Sequence, residues 1–385
     1  MKRICFLTDS IFSFGGVQRV TAVIAKELAK DYDVTIVTKD SPEQKDTTLY
    51  DLKDVNIHYR FFSFPKVARW KYYFCKAYSY LYRRHLPQTR LTSDIYAHSS
   101  FSSEQRKALW KELRAGNYDV IIGVHAPLAV RLATCRSHLK GVRLIGWVHN
   151  SYEALFGAGS LYIGPEIYKH YEFQLAKLDK AIVLCHDDAQ KYHFPTEVIY
   201  NPLTLVPDAP SEGTSKKFLA VGRFSRLHKG FDLLIEAFRI FAEQDDEWTL
   251  DIVGEGVEEP LYRQLIEEYN LQERVHIHPF TNHVQQYYHE AQVYVLSSRW
   301  EGFGLVLVEA MAHGLPVISS NLPTSKEIMG DFGLYFENGN INELAQRLED
   351  ATHLDWQTKS EKALQIAQRF EVNHIIGQWK NLLEQ

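Results

Sequence analysis

The chain has 385 residues, 45% of them hydrophobic, 13% aromatic and 24% charged, with 43 Lys and Arg against 48 Asp and Glu for a formal charge of −5. These proportions exclude an extended disordered chain, and the length calls for two domains with separate cores. A mildly acidic total also argues against a dedicated nucleic-acid binder, whose domains are strongly basic.

The opening residues, Met1-Lys2-Arg3 and then Ile4-Cys5-Phe6-Leu7, reach Asp9 too soon for a signal peptide's apolar core. No run approaches the roughly 18–20 apolar residues of a membrane span. Short β-branched runs at Ile4–Thr8, Val34–Thr38, Val120–Val124, Leu144–Val148 and Ala181–Cys185 predict strands. Helix-period stretches at Val17–Lys30, Gln105–Ala115 and Ile167–Leu178 separate them. The strand runs are apolar on both faces, as in parallel strands covered by helices on each side.

The rhythm pauses at Tyr200-Asn201-Pro202 and at Pro207–Gly213, a polar stretch with prolines and a glycine that reads as a linker. Strands are then expected at Phe218–Val221, Thr249–Val253, Val275–His278, Val293–Leu296 and Pro316–Ser319, with helices near Asp232–Ala242, Leu261–Tyr269 and Leu305–His313. The expectation is an α/β protein of two tandem doubly wound domains. Its ligands would bind at the carboxyl ends of the strands, in the cleft between the domains. Cys5, Cys75, Cys135 and Cys185 lie 50 or more residues apart in apolar or aromatic runs. They read as buried free thiols of a reduced, cytosolic protein.

Three segments carry chemistry. Ser13-Phe14-Gly15-Gly16-Val17-Gln18-Arg19 joins the first strand to the first helix. Its paired glycines fit either a tight turn or a loop that brings backbone N–H groups to an anion. Gly222-Arg223-Phe224-Ser225-Arg226-Leu227-His228-Lys229-Gly230 ends the second domain's first strand. Arg223 and Lys229 beside a helix start suit a diphosphate, or are solvated loop cations. In Trp300-Glu301-Gly302-Phe303-Gly304-Leu305, continuing to Glu309, two carboxylates lie eight residues apart across a helix start. Glu309 sits among apolar residues, where an unpaired carboxylate is costly. A sugar diol would satisfy it, and so would an arginine; the other reading of Glu301 is that it serves only the helix dipole.

These segments together resemble the retaining GT-B glycosyltransferases of family 4, marked by a Glu-x7-Glu motif read here as Glu301–Glu309. Further marks are Gly15-Gly16, Gly222-Arg223 with Lys229-Gly230, Val253-Gly254-Glu255-Gly256, Gly314-Leu315-Pro316-Val317 and Asn201-Pro202. The resemblance runs the length of the chain, with residues 40–115 matching only in outline. It implies two Rossmann-like doubly wound domains facing across a cleft. Residues 1–200 would form the acceptor side, joined by a last helix crossing back over 370–385, and residues 201–369 would hold the nucleotide sugar.

The resemblance also implies roles. Arg223 and Lys229 would grip the donor diphosphate, with the Gly16 amide approaching from the other domain. Glu309 would hold the ribose. Glu301, with the backbone of Phe303, Gly304 and Leu305, would hold the transferred sugar and its phosphate. Gly254 belongs to the donor loops, and the base would lie near Pro279-Phe280-Thr281. His149, in Trp147-Val148-His149-Asn150, would face the sugar's reacting end. A retaining hexosyltransferase is implied, with a nucleotide diphosphate sugar, most commonly a UDP-sugar, as donor.

No cofactor or metal is expected. Asp31-Tyr32-Asp33 reads as a polar turn, and His276 and His278 alternate on one strand without a third ligand near them in sequence.

Charge is unevenly spread. From Val55 to Ser93 there is no acidic residue, and eight Lys or Arg lie between Arg60 and Arg90 among Phe, Tyr and Trp. Lys66, Arg69, Trp70, Lys71, Arg83 and Arg84 therefore suggest a membrane or acceptor patch. An anionic bilayer would attract the cations, and its headgroup zone suits Trp and Tyr. Single-stranded nucleic acid and plain inward packing of the aromatics are the other readings. The leading expectation is a peripheral enzyme at the inner face of the cell membrane acting on a lipid-linked glycan precursor in polysaccharide, O-antigen or capsule assembly. A soluble glycogen- or sucrose-type transferase and a non-catalytic two-lobed sugar- or nucleotide-binding protein are the alternatives.

Overall fold

The structure is a computed structural model that describes residues 1–158, 160 and 162–385. The chain divides into two compact units, Met1–Pro202 with Val372–Gln385, and Leu203–Glu371.

The first unit carries a seven-stranded parallel sheet: β1 (Arg3–Thr8), β2 (Asp33–Thr38), β3 (Ile57–Phe61), β4 (Val120–Val124), β5 (Arg143–Trp147), β6 (Lys180–Val183) and β7 (Thr196–Val198). The spatial order is β3-β2-β1-β4-β5-β6-β7. The order reverses beside β1, which pairs with both β2 and β4, and this switch point aims the loops after β1 and β4 at one place. The central strands are buried almost throughout, as their doubly apolar runs require. Helices α1 (Gly16–Leu28), α2 (Arg69–Arg84), α3 (Arg90–Ser100), α4 (Ser103–Ala115) and α5 (Ala126–Ala133) belong to this unit.

The chain's last helix, Val372–Glu384, also belongs here. Trp379 is fully buried against Trp147 and Phe6, with ring centroids 4.6 and 6.3 Å away. Lys2 Nζ donates to the Leu383 carbonyl at 2.6 Å, and Lys380 pairs with Asp31 at 2.6 Å. Both cap the carboxyl end of a helix with positive charge or hold it to the sheet's start.

The second unit carries a six-stranded parallel sheet: β8 (Lys217–Val221), β9 (Thr249–Val253), β10 (Val275–His278), β11 (Val293–Leu296), β12 (Val317–Ser320) and β13 (Leu334–Phe336), in the order β10-β9-β8-β11-β12-β13. Its core packs Phe218, Phe238, Phe241 and Trp248 with Leu250 and Ile252. The switch point here lies between β8 and β11.

All ten strands expected from the sequence form within a residue or two. The structure adds β3, β7 and β13, each short and near or at a sheet edge, where one side of the strand meets solvent. β3 exposes or half-exposes His58, Tyr59 and Arg60, and no residue of β7 is fully buried. Edge strands need no continuous apolar run, so the pattern that reveals central strands misses them. One cysteine expectation is also corrected: Cys5, Cys135 and Cys185 are buried, but Cys75 on α2 is only half-buried.

Candidate active site

In the second unit, the residues singled out at the ends of β8 and β11 meet around one buried ion pair. Lys229 Nζ donates to Glu301 Oε1 at 2.6 Å, with the two side chains 11% and 7% exposed. Ser298 Oγ donates to the same oxygen at 2.6 Å, and His228 Nε2 lies 3.7 Å from it. The His228 ring in turn stacks flat on Trp300 at 3.7 Å. Burial alone would raise the Glu301 carboxyl; the Lys229 charge and the His228 contact outweigh it and hold the group below the usual carboxylate range.

Gly230 makes this geometry possible. It sits at φ 64°, and a Cβ there would lie 2.3 Å from the Ser297 carbonyl oxygen. Lys229 can therefore reach Glu301 only because residue 230 has no side chain. Gly304, at φ 85°, turns the chain into the helix Leu305–Ala312 in the same way. The first N–H groups of that helix have no acceptors within it.

Arg223 stands apart from this pair. It is exposed, and among the described residues no carboxylate pairs with it. The two cations expected to share a diphosphate are thus unlike: Arg223 has an unneutralised charge, while Lys229 is already balanced by Glu301. This modifies the sequence expectation, because a carboxylate 72 positions away in sequence comes within contact distance only in three dimensions.

Glu309 is 2% exposed and accepts a hydrogen bond from the Tyr288 hydroxyl at 3.2 Å. The Tyr288 phenol is therefore one of its partners, while Arg299 forks onto Asp232 with two 3.0 Å bonds. Burial raises the Tyr294 phenol well above its usual range, and the charges of Glu301 and Glu309 add to the effect, so both carboxylates act on one buried ring. Phe303 turns its side chain inward against Phe370, 5.7 Å away, which leaves only its backbone for a ligand. Gly254 follows β9, its N–H bonded to the His278 carbonyl at 3.0 Å, and Phe280 is 46% exposed beyond β10.

In the first unit, the loop after β1 is pinned by the buried Asp40 carboxylate, which accepts from the N–H groups of Ile11 at 2.8 Å and Phe12 at 3.2 Å. Gly15 N–H donates to the Tyr50 hydroxyl, and Gly16 opens α1 exposed to solvent. His149, just beyond β5, is 5% exposed, and neither ring nitrogen has a partner. Burial holds it well below the usual histidine range, so its ring is neutral near pH 7.

The His125 ring lies 5.4 Å from that of His149. His125 follows β4 directly, at φ 73° and ψ 144°, a region nearly reserved for glycine. Motif spacing does not point to His125. The available signal was positional: a second histidine at the carboxyl end of the strand next to that of His149.

His276 and His278 do have a third neighbour, on the adjacent strand: Asp251 Oδ1 lies 3.3 and 3.2 Å from their rings. Lys217 Nζ holds the other carboxylate oxygen at 3.1 Å, so the buried Asp251 charge is balanced by a lysine. Among the described residues no three His, Cys, Asp or Glu side chains group as a metal site would require.

The basic aromatic segment forms α2, in which only Tyr82 is buried. Trp70, Tyr72, Tyr73, Phe74 and Tyr80 are 49–74% exposed, so inward packing does not account for them. It does account for Tyr82, stacked on Tyr96 at 4.6 Å, and for Phe62 and Phe64 against the core. Lys66, Arg69 and Arg84 are exposed, Lys71 pairs with Glu104, and Arg83 lies 3.4 Å from Glu166. Among the described residues no helix is long and apolar enough to cross a membrane.

Residues 14–205 match the family described as Glycosyltransferase Family 4, and residues 205–369 match Glycosyl transferases group 1. The chain belongs to the GT-B glycosyltransferases. An uncharacterised glycosyltransferase of Haemophilus influenzae is 28% identical to the enzyme over the full length of both chains. A Campylobacter jejuni diphospho-undecaprenol 4-alpha-N-acetylgalactosaminyltransferase is 32% identical over 40% of this chain and 43% of its own. The solved structure of Anabaena HepE in complex with UDP and glucose superposes on the enzyme with a TM-score of 0.72 over all of both chains at 21% identity. The two parallel sheets are therefore the paired Rossmann-like domains of a GT-B glycosyltransferase.

Proposed function

We propose that the enzyme is a retaining, metal-independent hexosyltransferase of the Glu-x7-Glu group. Its donor would be a nucleotide diphosphate sugar, a UDP-sugar by preference, and its acceptor a lipid-linked glycan precursor in polysaccharide assembly. The observation that carries this reading is the buried Lys229–Glu301 pair together with the unneutralised Arg223 on the loop that leads to Lys229. Breaking the bond from the anomeric carbon to the diphosphate oxygen gathers negative charge on the departing diphosphate. Fixed positive groups aimed at that charge give the largest stabilisation.

Arg223 and the first N–H groups of the helix Leu305–Ala312 supply it, while Glu301 fixes where the Lys229 ammonium stands. Glu309 and its Tyr288 partner are assigned to the ribose hydroxyls, and the exposed Phe280 to the base. In the first unit, the neutral His149 ring can donate one hydrogen bond and accept another, as a sugar hydroxyl requires. The Campylobacter relative's diphospho-undecaprenol acceptor and the exposed aromatics and cations of α2 support a lipid-linked acceptor met at a membrane surface.

A panel of sugar nucleotides, read by nucleoside diphosphate release with and without excess EDTA, tests the chemistry. Turnover of a UDP-sugar in EDTA, with the donor's anomeric configuration kept in the product, is expected. Release from no donor would overturn the reading, and strict Mg²⁺ or Mn²⁺ dependence would overturn its metal-free form. Flotation with anionic vesicles tests the surface: binding should weaken when Lys66, Arg69 and Lys71 are neutralised together.

A further inference from the structure

His228 has no part in the roles assigned above, although it lies between Arg223 and Lys229 on one loop. Three groups converge on Glu301 Oε1: Lys229 Nζ and Ser298 Oγ, each at 2.6 Å, and His228 Nε2 at 3.7 Å. The first two already donate to that oxygen. The His228 nitrogen is buried and has no hydrogen-bond partner. Its ring lies on Trp300 with 1° between the planes, so it cannot swing away from the carboxylate without losing the stack. The side chain as a whole keeps 21% of its surface in solvent.

The charges around the ring decide its protonation. Arg223, Arg226 and Lys229 lie on its own loop, Arg299 and Glu301 follow β11, and Asp232 lies in the first turn of the helix Phe231–Ala242. Asp232 engages both Arg226 and Arg299. Burial holds the His228 ring below the usual histidine range. The charges of Lys229 and Arg223 push the same way, and Glu301 pulls against them. The ring is therefore neutral near pH 7 in the free enzyme.

A diphosphate held by Arg223 and Lys229 would neutralise the two cations that oppose a proton on His228. It would also bring negative charge toward the buried Glu301 carboxylate, which repels it. Both changes favour a cation at the His228 ring, and the indole face beneath stabilises that cation further. We propose that His228 is a positioning residue: its imidazole takes up one proton from solvent as the donor diphosphate binds, and the imidazolium then holds Glu301 while Lys229 turns to the diphosphate. The proposal deepens the diphosphate reading of Arg223 and Lys229 above and rests on it.

Calorimetric titration of the full-length chain with UDP-glucose, UDP-N-acetylglucosamine and GDP-mannose tests it. Run near pH 7 in buffers of low and high ionisation enthalpy, it counts the protons taken up. The diphosphates of these nucleotide sugars have no proton of their own to exchange there. Binding should take up about 0.5–1 proton, and affinity should fall by up to about tenfold per pH unit as pH rises from about 6.5 to 8. His228→Asn and His228→Gln should each bind without uptake and with a flat pH profile. His353→Gln, at an exposed histidine of the helix end near Thr352, should keep both. The uptake is measured on the unaltered chain, so the proposal stays testable if either His228 variant disturbs the Trp300 stack.

Binding without proton uptake in the unaltered chain would overturn the proposal and leave the diphosphate reading standing. Uptake that persists in both His228 variants would overturn it too, by placing the proton on another group. If none of the nucleotide sugars binds, the diphosphate reading itself falls, and the proposal falls with it.

Discussion

At the scale of single residues, the enzyme separates two cations that look equivalent in sequence. Removing the Lys229 ammonium leaves the Glu301 carboxylate buried without its counterion, a change that costs about 3–5 kcal/mol. Arg223 is exposed and without a carboxylate partner, so its removal costs little stability. Lys229→Ala should therefore lower both the denaturation midpoint and turnover, whereas Arg223→Ala should lower turnover alone. Lys229→Met with Glu301→Gln should recover most of the stability and none of the activity. Equal midpoints for Lys229→Ala and Arg223→Ala would contradict the buried pair.

His125 presents the opposite balance. Its backbone, at φ 73° and ψ 144°, stores about 1–3 kcal/mol. Glycine would release that strain and lose about 0.5–1 kcal/mol to chain entropy. His125→Gly should then raise stability by about 1 kcal/mol while turnover falls, because a strained position beside His149 is retained for its side chain. A stabilised variant with undiminished turnover would show that the ring has no part in the reaction.

At the scale of elements, α3 is joined to the helix Tyr168–Leu175 by a buried polar knot. The His170 ring meets Ser93 Oγ at 2.9 Å, and Gln174 donates to the same oxygen at 2.8 Å. Burial pushes the His170 pKa down to about 4. Between pH 6.5 and 4 the unfolded chain therefore takes up a proton that the folded chain refuses. Stability is fully present above about pH 6.5 and falls as pH drops, by about 1.4 kcal/mol per unit from this group. His149 and His228, also lowered chiefly by burial, act with the same sign. Urea midpoints measured from pH 4.5 to 7 should fall with acidity, and His170→Asn should flatten that dependence by about one proton. An unchanged slope would place the titrating group elsewhere.

At the scale of the whole molecule, the first unit is discontinuous in sequence. Its last helix returns from residue 372 and inserts Trp379 between Trp147 and Phe6. Truncating a buried tryptophan costs about 3–5 kcal/mol. Trp379→Ala should lower the denaturation midpoint as much as a mid-sheet core substitution such as Ile121→Ala, although it lies only six residues from Gln385. A loss typical of a frayed terminus, near zero, would show that the helix is not part of the first unit's core.

The sequence by itself determined the alternation of strand and helix, because central parallel strands must be apolar on both faces and that requirement is written locally. It also marked Gly15-Gly16, Arg223, Lys229, Glu301 and Glu309, since a loop between strand and helix is a short local unit. It could not show the edge strands, which lack a full apolar run, nor the direction in which the aromatics of α2 face. Only the tertiary structure decided that Lys229 is claimed by Glu301, that Glu309 meets Tyr288 and that His125 lies against His149. Each of these is a contact between side chains far apart in sequence. Parallel sheets bring such groups together by aligning the carboxyl ends of strands that are dozens of residues apart, and no local pattern encodes that register.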